Sequence, residues 1–288
     1  MKIIDPHLHL FNLKQGEYHW LKANNAPFWP DKALINKNFS EMNLQLSAPL
    51  ELTGFVHIEA GFDNVQPWQE LQWLEQSCNI PFKSIAFIDI TLPEHAFVTQ
   101  LKQLMQCKSL AGCRYILDEN AAALLTSHTV TSNLNLLANA QLIFEVQMPL
   151  DDKKSICALS QILSGAPALN IVINHAGWPT DCNFTDWQKG LEQLSQFSQC
   201  ALKCSGWEMT NRQYNREWQQ KVLMCCLNTL GYKRVMLASN FPLCLFSQSS
   251  YQTYWQTLLA LPVINQLNAY EKNALCYDNA LNWYGISE

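Results

Sequence analysis

Eight short runs rich in apolar and β-branched residues recur along the 288-residue chain, at 3–10, 53–60, 82–90, 110–117, 141–148, 170–176, 200–206 and 234–241. Several are almost unbroken in apolar character, IAFI and QLIFEV among them. Strands with that character are covered on both faces, which is the situation of a parallel sheet. Between the runs lie segments with helical period, at 67–78, 93–106, 131–139, 151–163, 184–198 and 213–230, and two more follow the last run at 248–261 and 265–283. Asp151-Asp152 and Thr185-Asp186 put acids at two helix starts, where they suit the helix dipole, and Thr185 and Gln188 have the spacing of a capping box.

Eight strands alternating with helices predict an α/β chain folded as a single-domain (β/α)8 TIM barrel over residues 1–288. No Ser/Gly tract, charge block or internal repeat marks a linker. One connection stands out. Residues 12–52, after the first strand, are long for a βα loop and hold Tyr18, Trp20, Phe28, Trp29 and Pro30. Long ordered loops in compact domains are usually functional, and these aromatics either cap the barrel mouth or pack only on one another at the surface.

Composition narrows the partners. The net charge of −5 gives no attraction to phosphate backbones, so nucleic acid is not expected, and a small molecule is the expected partner. With 48% hydrophobic residues the chain has material for a large core, yet no run reaches the 18 to 20 residues or so of a membrane helix. Met1-Lys2 runs directly into Ile3-Ile4-Asp5 without the apolar region of a signal peptide, so a cytoplasmic location is expected. The 11 cysteines contain no CxxC pair and no His at zinc-site spacing, and free, mostly buried thiols are expected. Oligomeric state leaves no mark in the sequence.

In such barrels the chemistry sits where strands end on their C-terminal side. The first strand ends in Asp5-Pro6-His7-Leu8-His9, and a period of two puts His7 and His9 on one face, able to chelate a single metal ion or hold a polar substrate. The second carries His57 and Glu59, the fourth Arg114, the fifth Glu145 and Gln147, the sixth His175, the seventh Lys203 and the eighth Asn240. Plain structural roles compete with functional ones. Asp5 lies deeper than His7 and reads as a buried hydrogen-bond partner. His57 has the alternative of a satisfied core histidine, and Lys203 that of an ion-paired scaffold lysine. His19, His95 and His128 fall in a loop or helices and receive no role.

Six motifs spread over the chain resemble the amidohydrolase-related, metal-dependent hydrolases of TIM-barrel fold, in particular their sugar-lactonase branch. That branch includes the L-fuconolactonase-like proteins and, more distantly, 2-pyrone-4,6-dicarboxylate lactonase. The motifs are IDxHxH at Ile4–His9 followed by Phe11, YxWL at Tyr18–Leu21, GxRxxL at Gly112–Leu117, HxGxP at His175, Gly177 and Pro179, KxSG at Lys203–Gly206, and NAxxxY from Asn279 to Tyr284. The chain departs from the resemblance on the eighth strand. Where the family writes GSDWP it reads Ala238-Ser239-Asn240-Phe241-Pro242. The Asp of that motif serves in the family as metal ligand or as the base that activates water, whereas an amide takes up no proton at neutral pH.

The resemblance implies hydrolysis of a small sugar-acid or carboxylated lactone. His7, His9 and His175 hold at most one divalent ion, zinc first, or polarise the carbonyl directly. Asn240 stands at the catalytic position, and Glu59 is a substitute base. Arg114, Gln147, Trp20 and Lys203 are the expected substrate contacts. A carbamate-bridged binuclear site is not expected, because strands four and five offer Arg114 and Gln147 where better-known relatives carry Lys and His. Two other readings follow from the same scaffold: a metal-dependent decarboxylase, and a silent relative that binds its ligand without turnover, which Asn240 favours.

Overall fold

A computed structural model describes residues 1–286. Eight parallel strands, β1 (Lys2–Leu8), β2 (Glu51–Ile58), β3 (Phe82–Phe87), β4 (Leu110–Ile116), β5 (Ile143–Gln147), β6 (Ile171–Ile173), β7 (Cys200–Cys204) and β8 (Val235–Leu237), pair in sequence order. The seam between β8 and β1 is joined just past the end of β8. There the Asn240 amide donates to the His7 carbonyl at 2.8 Å, and His9 donates to the carbonyl of Phe241 at 2.6 Å. The expected (β/α)8 barrel is therefore the observed fold. Its strands are shorter at their C-terminal ends than the apolar runs, because the chain leaves the sheet to build the mouth.

Two apolar cores sandwich the sheet. The larger lies between strands and helices. The smaller lies inside the barrel, where Ile4, Val56, Ile58, Ile85, Ile143, Val172, Ala201 and Met236 meet Tyr277, Ala280, Tyr284 and Ile286 from the chain's end. The C-terminal segment thus plugs the bottom of the barrel. On several strands a polar residue stands two positions beyond an inner apolar one: Arg114 after Gly112, Glu145 after Ile143, Asn174 after Val172 and Lys203 after Ala201. Two residues of strand raise the side chain by roughly 6.6 Å, so a polar layer rests on the apolar plug.

The helices follow the predicted segments, with local corrections. The capping box expected at Thr185 and Gln188 does not form. The helix is Phe184–Ser195, so Thr185 lies inside it and Asn183 stands at its cap. Asp152 does cap the helix Lys153–Gly165, accepting from the amides of Lys154 and Ser155. Two short helices carry no clear sequence period, Ala121–Leu125 and Trp207–Thr210. All 11 cysteines are free, and Cys157 and Cys182 are exposed rather than buried. No helix among the described residues is long and apolar enough to cross a membrane.

The long first loop is packed against its neighbours. Its backbone bridges Phe11 to Phe39, and it docks on the turn after β2, where Tyr18 N donates to Gly61 O at 2.9 Å and Trp20 Nε1 to Ala60 O at 2.7 Å. Trp20 contacts Phe11 and Trp29, and Trp29 contacts Phe246 beyond β8. The Arg212 guanidinium lies 4.1 Å from the Phe246 ring centre and 5.1 Å from that of Trp29, and pairs with Asp31 at 2.7 Å. The loop therefore packs against the segments that follow β2 and β8, so its aromatics do not pack only on one another, and Phe28 stays exposed.

Candidate active site

An irregularity in the pairing of β1 with β2, between Asp5 and Leu8, sets the direction of the first histidines. Ile4 packs inside the barrel and Leu8 outside it, so the residues between them do not keep strict alternation. Asp5 turns towards the helices. Its carboxylate accepts from Ser239 N at 3.1 Å, His7 N at 3.2 Å and the Tyr251 hydroxyl at 3.0 Å, and burial raises its pKa to about 6. Asp5 is the buried partner that its depth suggested. The bulge it braces aims His7 and His9 at the mouth.

Three imidazoles meet there. The His7 ring centre lies 5.2 Å from that of His9 and 4.6 Å from that of His175. His9 Nδ1 donates to the Ile58 carbonyl at 2.8 Å, which leaves Nε2 with its lone pair free. His175 Nδ1 is bonded to Ser205 Oγ at 3.1 Å, and a β-carbon on Gly206 would stand only 2.3 Å from that same nitrogen. His7 has no hydrogen-bond partner on either ring nitrogen, although it is completely buried. Burial holds all three rings well below the usual imidazole pKa. Nearby cations push the same way, Lys203 and Arg114 among them at His7 and His175, so the rings are neutral.

Arg114 points into the mouth but is fully engaged. Nε and Nη2 reach Glu59 Oε1 at 2.8 Å, Nη2 donates to Glu59 O at 2.9 Å, and Nη1 donates to Gln147 Oε1 at 3.1 Å and lies 3.5 Å from Asn174 Oδ1. Burial raises the Glu59 pKa against the opposing pull of Arg114. Lys203 lies lower, wholly buried, donating to both oxygens of Glu145 at 2.5 and 2.7 Å. Glu145 also accepts from the Tyr284 hydroxyl at 2.6 Å and from Asn174 Nδ2. Lys203 is ion-paired, as the plainer reading has it. Burial lowers its pKa to about 8 despite Glu145. His57 faces outward, towards the helix that follows β2. Its Nδ1 accepts from Leu10 N at 3.2 Å and its Nε2 pairs with Glu70 at 3.1 Å, which makes it a satisfied core histidine. Trp20 stands half-buried in the aromatic wall.

Asn240 closes the ring of candidates. Its Nδ2 donates to Glu208 Oε1 at 2.6 Å, while its Oδ1 and Glu208 Oε2 are buried without partners. Glu208 belongs to the short helix Trp207–Thr210 directly after β7, and no sequence motif points to it. Burial raises its carboxyl pKa to about 7.

The donor set contains three imidazole nitrogens that are soft enough for zinc. As arranged, however, the described residues contain no group of three or more His, Cys, Asp or Glu side chains set to hold a metal ion. The rings cluster without offering a ready coordination shell.

Comparison with known proteins agrees with the barrel fold. The chain is 28% identical to the uncharacterized protein y4mH of Sinorhizobium fredii over 99% of its own length and 98% of that protein. It is 26% identical to an L-fucono-1,5-lactonase of Burkholderia multivorans, over 51% of each chain. A crystal structure of an amidohydrolase from Burkholderia multivorans with bound zinc superposes with a TM-score of 0.81 at 18% identity, covering all of both chains. The amidohydrolase family model matches residues 4–286. With that match spanning nearly its whole length, the chain belongs to the amidohydrolase family.

Proposed function

We propose that the protein hydrolyses a small lactone, of the sugar-acid or carboxylated type, at the mouth lined by His7, His9 and His175. The observation that carries this reading is His7. A buried polar group without a partner costs roughly 1–3 kcal/mol, and here two such nitrogens sit on one ring between two other imidazoles. A ligand that accepts from one nitrogen and donates to the other removes that cost. The carbonyl and a neighbouring hydroxyl of a sugar lactone are such a pair.

As a neutral ring, His7 carries one N–H and one lone pair. The N–H donates to the carbonyl oxygen and strengthens as that oxygen becomes negative. The free Nε2 of His9 accepts from a hydroxyl of the sugar lactone and orients the ring. Arg114 and Lys203, both close enough to act on the charge of the His7 ring, favour the developing oxyanion without touching it. The similarity to an L-fucono-1,5-lactonase supports a sugar lactone as substrate. A divalent ion, zinc first, on His7, His9 and His175 is the alternative polariser. The three rings as placed offer it no ready coordination shell, and elemental analysis of the purified protein checks this alternative.

The test is an indicator assay on a panel of sugar lactones with wild type, His7→Ala, His175→Ala and Asn240→Asp. Acid release by the wild type, lost in both histidine variants, supports the proposal. Release of CO2 from an aromatic or unsaturated acid instead identifies a decarboxylase. An inert wild type beside an active Asn240→Asp identifies a silent binder.

A further inference from the structure

An amidohydrolase site without the strand-8 aspartate needs another proton acceptor. His9 is buried beside Arg114, which disfavours a protonated ring, and Glu59 is locked to Arg114. Among the buried carboxylates around the mouth, Glu208 keeps one oxygen without any partner, and that oxygen flanks a hydrogen bond to Asn240, whose own Oδ1 is equally unpartnered. Two orphaned, buried acceptors on either side of one hydrogen bond are the natural cradle for a water, which donates one proton to each.

We propose that Glu208 is the general base of this site and that Asn240 is its positioning residue, the two together standing in for the missing aspartate. The assignment rests on the lactonase reading above. Asn240 Oδ1 fixes one hydrogen of the attacking water. Glu208 Oε2 takes the other as the water oxygen bonds to the carbonyl carbon. When the tetrahedral intermediate collapses, the ring C–O bond breaks and the departing oxygen takes that proton back, so the net reaction is lactone plus water to hydroxy acid.

The surroundings suit the role. Gly206, two residues before Glu208, packs against the His175 ring, and the Asn240 amide is bonded to the His7 carbonyl, which ties both residues to the mouth. Arg212 donates to the Glu208 carbonyl oxygen and is the nearby cation, while Tyr214, Cys244 and Tyr254 are the other titratable groups facing it. Burial places the carboxyl near neutrality, where a base works best.

The experiment has two readouts. The first is kcat against pH for wild type, Glu208→Gln, and the exchanged pair Glu208→Gln with Asn240→Asp. Glu208→Gln is expected to lose at least about 100-fold in kcat with little change in KM, and to lose the acid limb of the pH profile. The exchanged pair keeps one carboxylate and one amide in contact and is expected to regain at least tenfold. A Glu208→Gln enzyme with the wild-type kcat and pH profile overturns the proposal. The second readout is a 13C carboxyl titration of glutamate-labelled protein, which needs no substrate. A resonance absent from Glu208→Gln and titrating near neutral pH is expected. A Glu208 resonance titrating in the ordinary carboxylate range overturns the proposal, even where an inert wild type has separately overturned the lactonase reading.

Discussion

Lys203 and Glu145 form an ion pair inside the barrel with both side chains fully sealed from water. Tyr284 and Asn174 complete the hydrogen bonding of the carboxylate. Removing one partner strands a buried charge, which costs far more than removing both. Lys203→Met is expected to lower stability by about 3–5 kcal/mol, and Lys203→Met with Glu145→Leu by distinctly less. Urea unfolding of the two variants checks this, and equal losses would show that the pair does not act as a unit.

His7 should carry an opposite trade. Its unpartnered nitrogens burden the folded state, so His7→Leu is expected to raise stability by about 1 kcal/mol while abolishing activity. Thermal unfolding beside the lactone assay reads both effects. A destabilised His7→Leu would mean that the ring is satisfied by a resident partner.

Gly206 has a left-handed backbone, φ 68°, and its missing side chain leaves room for the His175 ring. Gly206→Ala is expected to cost about 1–3 kcal/mol through backbone strain alone. It should also displace His175 and reduce kcat more than tenfold. A crystal structure of the variant with His175 unmoved would refute the packing argument.

The Glu208 contribution to stability should fall as pH rises through the acid range, against the three buried neutral histidines, which slope the other way. The Glu208 carboxyl goes from an ordinary 4.5 to about 7 on folding, so the native state keeps a proton that the unfolded chain releases. Its contribution is intact below pH 4.5 and gone above 7, amounting to about 3–4 kcal/mol at about 1.4 kcal/mol per pH unit. Asp5, raised to about 6, slopes the same way. The wild-type minus Glu208→Gln difference in urea midpoint should therefore decline between pH 4.5 and 7.5, and parallel curves would contradict the buried, protonated Glu208.

Much of this was legible in the residues. Unbroken apolar runs marked doubly covered strands, and the strand ends picked out His7, His9, Arg114 and His175. What escaped depends on contacts distant in sequence or on departures from alternation. On β2, Val56 and Ile58 face the barrel interior, so His57 faces out, and Glu59, just past the end of the strand, leaves the alternation to reach Arg114. Lys203 was readable as an inward residue, but not its partner 58 residues away. The NAxxxY ending matched a family motif, and its physical reason is Tyr284, which rises from the plug to Glu145. Glu208 sits on one turn of helix too short to show a period, and only its bond to Asn240, 32 residues on, brings it to the mouth.

Hydrolysis at the three-histidine mouth is tested most directly by turnover of a sugar 1,5-lactone in 18O-labelled water, followed by mass spectrometry of the product. The expected result is a ring-opened acid carrying one 18O in its carboxylate, formed far above the spontaneous rate by wild type and at the spontaneous rate by His7→Ala. Formation at the spontaneous rate by the wild type across the lactone panel, or an undiminished rate in His7→Ala, would contradict it.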